Sequence, residues 1–225
     1  ASGRQYNSIV DKLAAIKDDI YVIAENGATA KKGAELLLLK SINTQKVTDI
    51  IPVLRNIKDT NIVLCSQNTA YIESKNETFI NLFQEYYHNF KIVDDLTEVA
   101  KTAEILKIAV HHFSSSEEFI YPAIKHLTAD YLIKISGQNW LDLSDNDANK
   151  GAALKKVQKL LHISKEETMV FGDYHNDIEM LQEAAYSFAM KNAHKDIKAI
   201  ANYITESNDN FGVERVLEQL VKYKK

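Results

Sequence analysis

The sequence predicts an α/β protein with a parallel-sheet core and a second, mixed α+β unit inserted into it. Three observations carry that expectation. Along residues 145–225, short apolar strands alternate with amphipathic helices, the pattern of a parallel sheet covered by helices. Residues 28–144 are richer in hairpin signals and read as a separate unit. A length of 225 residues with 45% hydrophobic content suits one large domain or two small ones, each with a real core.

The elements follow from periodicity and turn signals. Residues 9–16 read as a helix with Ile9, Leu13 and Ile16 on one face. Residues 20–24 are a short buried strand that ends in the turn signal Glu25-Asn26-Gly27-Ala28. Residues 35–40 form one arm of a hairpin, and 48–57 a helix with Pro52 in its first turns. A strand over 61–66 precedes a helix over 77–87 that carries Phe79, Ile80, Phe83 and Tyr87 at helical spacing. A strand over 104–111 is followed by one helix over 116–127, opened by a Ser-x-x-Glu-like start. Residues 131–135 and 140–143 flank Ser136-Gly137-Gln138-Asn139 as a hairpin. Beyond Asp145 the pattern gives helices over 151–161, 178–184, 196–201 and 212–223, with strands over 168–171 and 186–190. The tail, 222–225, reads as a solvated lysine-rich helix end.

Composition excludes several function classes. A net charge of −4 advertises no basic surface for nucleic acid. No apolar run approaches the roughly 20 residues that span a bilayer, so no membrane partner is expected. Cys65 is the one cysteine and lies in an apolar run, as a buried thiol in a reducing, cytoplasmic setting. Two prolines and seven glycines argue against long disordered linkers.

The chemistry concentrates in Gly172-Asp173-Tyr174-His175-Asn176-Asp177. Met169, Val170 and Phe171 form a short buried strand, Gly172 allows a turn, and Asp173 stands at the strand's carboxyl edge. Asp177 falls on the first turn of the next helix. Two carboxylates so placed suit a hard cation such as Mg²⁺, and they equally suit a plain capped turn. Three other segments carry polar groups at strand or helix ends: Ser2-Gly3-Arg4, Asn26-Gly27 and Lys150-Gly151. In an open α/β sheet ligands bind beyond the carboxyl ends of the strands. If the four ends converge, a hydroxyl, backbone amides, a cation and two carboxylates meet, a set that suits a phosphate with Mg²⁺.

In this order the four segments resemble a family. The run Ala-Ser-Gly-Arg, Glu-Asn-Gly-Ala, Asn149-Lys150-Gly151-x-Ala153-Leu154 and Gly-Asp-x-x-Asn-Asp-x-x-Met-Leu, with the turn Lys191-Asn192-Ala193, is similar to haloacid dehalogenase-type phosphatases of the Cof-like branch. The resemblance spans the whole chain. It implies a Rossmann-like core, 1–27 and 145–225, with an α+β cap inserted at 28–144. It implies a Mg²⁺-dependent phosphatase acting on a small phosphorylated metabolite, a sugar phosphate or a phosphorylated cofactor.

Residue by residue, the resemblance implies that Ser2 and the Gly3 amide bind the transferring phosphoryl group and that Lys150 neutralises its charge. Asp173 ligates Mg²⁺, and Asp177 completes or orients that shell. Asn176 reaches phosphate or substrate, and Asn26 and Gly27 lie at the first core–cap crossing. The family's nucleophile is the first Asp of Asp-x-Asp-Gly-Thr, with a general acid two residues on, and no such segment is found. Asp145-Asn146-Asp147 has the spacing but continues as Ala148-Asn149-Lys150, and reads as the return loop from cap to core. The resemblance therefore implies roughly 40 residues upstream of Ala1, a strand–helix–strand unit bearing the nucleophile. The intact mass of the protein tests this.

Other residues carry weaker expectations. One of His111 and His112 points inward; a cap-borne substrate contact is the alternative. His175 lies inside the metal loop at a position that varies in the family pattern, and carries no assigned role. Trp140, Tyr86 and Tyr87 serve packing, and Asn192 is as well explained as a turn residue. A non-catalytic protein that binds a phosphorylated ligand or a partner on the same fold is the competing function. No motif specifies the substrate or an oligomeric state.

Overall fold

A computed structural model describes residues 1–223; Lys224 and Lys225, on which part of the lysine-tail expectation falls, lie outside the described residues. The chain opens with α1 (Tyr6–Lys12) and β1 (Val22–Ala24), and a single 3₁₀ turn over Glu25–Gly27 leads to β2 (Thr29–Lys32) and β3 (Glu35–Leu39). The helix α2 (Thr44–Arg55) enters a larger unit of β4 (Thr60–Ser66), β5 (Ala70–Ile72), α3 (Glu77–Gln84), β6 (Phe90–Ile92), α4 (Leu96–Thr102) and β7 (Ile105–His112). The short α5 (Ser116–Phe119) and α6 (Tyr121–Ile124) precede the hairpin of β8 (Leu132–Ile135) and β9 (Trp140–Ser144). The chain then runs through α7 (Lys150–Leu161), β10 (Met169–Gly172), α8 (Ile178–Gln182), β11 (Tyr186–Ala189), α9 (Lys195–Ile200), β12 (Tyr203–Ile204) and α10 (Gly212–Tyr223).

These strands form three sheets among the described residues. The largest has the order β6-β5-β4-β7-β9-β8, antiparallel except for the parallel β5–β6 pair. The strands β10, β11 and β12 form a parallel sheet in that order. The strands β1, β2 and β3 form an antiparallel sheet. The α/β class holds.

The large sheet is stable because its central strands are apolar on both faces. Ile62 and Leu64 face α2, whose Val47, Ile50, Ile51 and Leu54 recur at helical spacing. Val63 and Cys65 face the other way, onto Phe79 and Phe83 of α3. Both phenylalanines are fully buried, and truncating either to alanine costs about 3–5 kcal/mol. Asn43 and Asn76 start their helices by accepting the Gln45 and Phe79 amides at 2.9 and 3.1 Å.

The expected break between 27 and 28 falls inside the β1-β2-β3 sheet. The hairpin pairs with β1 and packs Ala30, Leu37 and Leu38 against Ala153 and Val157 of α7. The chain therefore crosses to the large sheet after Leu39, eleven or more residues later than the turn signal suggests. The other expected break, 144/145, falls where β9 ends. The helix α7 joins the two small sheets, since Leu154 touches both the β1–β3 cluster and the β10–β11 cluster.

Several local expectations change. The first helix stops at Lys12, leaving Leu13 and Ile16 exposed. The helix α2 begins at Thr44, so Pro52 sits in its interior rather than its first turns, and its ring removes one helical hydrogen bond there. The expected helix over 116–127 breaks at Ile120, before Pro122, into two short helices and a 3₁₀ turn. The strands β2, β5, β6 and β12 and the helix α4 are additions to the sequence reading.

Candidate active site at the seam between the sheets

The carboxyl ends of β1 and β10 and the amino end of α7 meet at one place. After β1 the chain takes three consecutive left-handed residues, Glu25 (φ 48°), Asn26 (φ 55°) and Gly27 (φ 100°). Such conformations are costly for residues with side chains and persist where the surroundings impose them. Glycine is required at 27 for a second reason: a Cβ there would lie 2.2 Å from the Asn149 carbonyl oxygen. This close approach sets the turn against the start of α7. Asn149 caps that helix by accepting the Ala152 amide at 2.7 Å, which aims the next residue, Lys150, inward.

Lys150 Nζ donates to Asp177 Oδ1 at 2.7 Å, and both side chains are buried. The second oxygen of Asp177 accepts the Asp173 and Tyr174 amides at 3.0 and 3.4 Å. Asp177 thus has both oxygens engaged, holding the lysine with one and the loop with the other. Gly172 permits this, because a Cβ there would meet the Asp177 side chain at 2.7 Å. Asp173 is exposed at the loop's tip. Packing around its carboxyl and the neighbouring Asp177 charge raise it above the usual carboxylate range, with Lys150 opposing. An exposed carboxylate destabilised as an anion, beside a second one already satisfied by Lys150 and two amides, suits a hard cation such as Mg²⁺. Asp173 is the group open to it.

The remaining predicted residues converge on the same place. Asn176 Nδ2 donates to Asn26 Oδ1 at 3.0 Å, and Asn26 donates in turn to Asp142 Oδ2. The Ser2 amide donates to the Ile23 carbonyl and its own carbonyl accepts the Asn26 amide, so 2–4 run beside the end of β1. Ser2 Oγ accepts the Arg4 amide at 3.1 Å, leaving its hydroxyl proton free to donate to an anion. A Cβ on Gly3 would crowd Asn26 Oδ1 at 2.9 Å. Asn192 and Ala193 belong to the turn after β11, where the Ala193 amide bonds the Met190 carbonyl.

Sequence reasoning missed the opposite wall. Lys107, alone among the apolar residues of β7, crosses to the Gly3 carbonyl at 2.6 Å and to Glu25 Oε2 at 2.9 Å, with Asp142 at 3.9 Å. All three charged side chains are buried. The lysine stays protonated because two carboxylates face it, which outweighs its burial. Burial is the largest influence on Glu25 and pushes its carboxyl up, against the pull of Lys107. One signal pointed to this group: a single charge inside an eight-residue strand that is otherwise nearly all apolar. Beside it lies a cleft of about 170 Å³ whose walls include Ser2, Gly3 and Asn176 on one side and Lys107, Asp142 and Ser136 on the other. Tyr86, Tyr87 and Trp140 complete it. These aromatic residues also pack, Tyr86 against Trp140 edge to face at 5.7 Å, so they serve both packing and the cleft. Both His111 and His112 are buried, rather than one of the pair.

A family model described as haloacid dehalogenase-like hydrolase matches residues 1–217. The chain is 28% identical over 225 residues to an Escherichia coli protein named 5-amino-6-(5-phospho-D-ribitylamino)uracil phosphatase, covering 99% of this chain and 82% of that one. It is 41% identical over 92 residues to a Bacillus subtilis phosphatase, covering 41% of this chain and 32% of that one. A crystal structure of a Streptococcus mutans protein superposes with a TM-score of 0.91 at 25% identity, covering 99% of this chain and 84% of that one. Motif order, fold and relatives agree: the chain belongs to the haloacid dehalogenase-like hydrolase family, among its phosphatases.

Proposed function

We propose that the cleft hydrolyses the phosphate monoester of a small metabolite, with Mg²⁺ held by Asp173. The observation that carries this reading is the convergence of Lys150, Asp173 and Asp177 beside Ser2 and Asn176. Phosphoryl transfer asks mainly for positioning and charge neutralisation. The Ser2 hydroxyl and Gly3 amide donate to the phosphoryl oxygens. Lys150 opposes their charge from below, and Asn176 donates from the side. Asp173 would hold Mg²⁺, which would supply further neutralisation of the phosphoryl group when bound. Asp177 acts as the positioning residue for Lys150 and for the loop, rather than as a direct metal ligand. In this reading the family's aspartate, which is not among residues 1–225, would attack phosphorus, and the ester P–O bond would break as the alcohol leaves with a proton. Water would then hydrolyse the aspartyl phosphate to free inorganic phosphate and restore the carboxylate.

The cleft wall of Lys107, Asp142, Ser136 and Trp140 selects the leaving group, and its mix of charged, hydroxyl and aromatic groups suits a hydroxylated metabolite with a planar part. A phosphorylated cofactor precursor of the kind named for the Escherichia coli relative is the first substrate class to try, and sugar phosphates the second. The buried thiol of Cys65 suits a reducing, cytoplasmic setting for that reaction. Phosphate release by the full-length protein from a panel of both classes, with and without Mg²⁺, tests the proposal. Mg²⁺-dependent release from at least one class is expected; no release from any ester with Mg²⁺ present overturns it.

A further inference from the structure

Beside the catalytic loop stands a cluster that the phosphatase reading does not use. His175 lies in the loop between Asp173 and Asn176, and His194 and Asp196 open α9 some twenty residues later. One ligand atom from each lies within 4.8 Å of the others. His175 Nε2 is 3.1 Å from Asp196 Oδ2, and His194 Nδ1 is 3.5 Å from the same oxygen. The two imidazole rings lie 4.3 Å apart, with Tyr174 edge-on to both. A tetrahedral ion with bonds of about 2.0–2.1 Å spaces its ligand atoms about 3.3 Å apart. The two observed spacings bracket that value.

We propose that His175, His194 and Asp196 form a second metal site, selective for a divalent transition ion, Zn²⁺ first. Two imidazoles and one carboxylate are the ligand set of a three-protein-ligand zinc site, with water completing the tetrahedron. The same set disfavours Mg²⁺, which takes oxygen donors and keeps its waters. His194 Nδ1 accepts the Asp196 amide at a long 3.3 Å, a contact the ion replaces. The loop is already tied to this turn, since the His194 amide donates to the Asp173 carbonyl at 2.9 Å. An ion here adds a second tie between α9 and the loop that presents Asp173, and so stiffens that loop.

The site is separable from the phosphatase reading because its readout is binding. Calorimetric titration of the full-length protein with Zn²⁺ in excess Mg²⁺, and with Co²⁺ followed by visible absorption, tests it. One Zn²⁺ per chain and a tetrahedral Co²⁺ spectrum are expected. Both persist in Asp173→Asn and weaken at least roughly tenfold in His194→Ala, and further when His175→Ala is added. Asp196→Asn, at an exposed position, gives the same direction of change without disturbing a packed ring. Absence of stoichiometric binding overturns the proposal, as does binding that survives loss of both histidines. Binding lost in Asp173→Asn but kept in the histidine variants assigns the ion to the catalytic carboxylates and also overturns it.

Discussion

Two buried lysine–carboxylate pairs stand at the seam between the sheets, and they are built differently. Lys150 and Asp177 come from one side of the molecule, and every polar atom of the carboxylate has a directed partner. Lys107 and Glu25 join the large sheet to the strained turn after β1. There the lysine's directed hydrogen bond goes to the Gly3 carbonyl, while Glu25 Oε1 has no hydrogen-bond partner and Oε2 sits at 2.9 Å off the bonding direction. The first pair is arranged to hold a positive charge at a fixed point. The second holds two sheets together at the cost of burying charge. A buried ion pair is weak evidence for net stability, but removing one partner is costly because the other is left uncompensated.

This contrast gives a way to break it. Lys150→Met should lower phosphate release by about 10²–10³-fold, the scale of losing a charge-stabilising group in the transition state. Its effect on unfolding should be smaller, since Asp177 keeps two amide donors; a loss of stability that explains the loss of activity would contradict the assignment. Lys107→Met should do the reverse, lowering stability by about 3–5 kcal/mol in denaturant unfolding. Adding Glu25→Gln should recover much of that cost, and a double variant as unstable as the single one would remove the seam pair from the account. Gly27→Ala strains the turn between the two pairs and should cost at least about 1–3 kcal/mol. The smallest effect lies inside the large sheet. Burial among Phe79, Phe113 and Trp140, with His112 beside it, depresses the His111 imidazole from 6.5 to about 4. The unfolded chain then binds a proton that the fold refuses, so His111 costs stability progressively as pH falls from about 6.5 to about 4. Glu25 and Asp173, both raised, slope the other way. The difference between the wild type and His111→Phe isolates the histidine: the variant should lose less stability than the wild type between pH 7 and pH 5, and an unchanged difference would contradict the assignment.

The same two pairs show what the sequence makes legible. Lys150, Asp173 and Asp177 stand at element boundaries beside Gly151 and Gly172, where turn chemistry marks the chain. Local pattern therefore reveals them. Local pattern hints at Lys107, a lone charge in an apolar strand, but not at its partner, because Lys107 and Glu25 are 82 positions apart and meet only through tertiary packing. The placement of the β2–β3 hairpin is hidden for a similar reason: its partners are β1 before it and α7 far beyond it. The strands β5 and β6, three residues each, are too short to show a period. Within α2, four buried residues at helical spacing override the penalty of Pro52. The different bonding of Asp173 and Asp177 is equally beyond the sequence, since both are acids on one loop and only the folded chain's hydrogen bonds separate them.

The most direct test is Mg²⁺-dependent phosphate release by the full-length protein compared with its Asp173→Asn variant, with thermal unfolding measured on both. The account predicts release by the wild type, loss of nearly all of it in the variant, and nearly superimposable unfolding curves. A variant that keeps its Mg²⁺-dependent activity would contradict it.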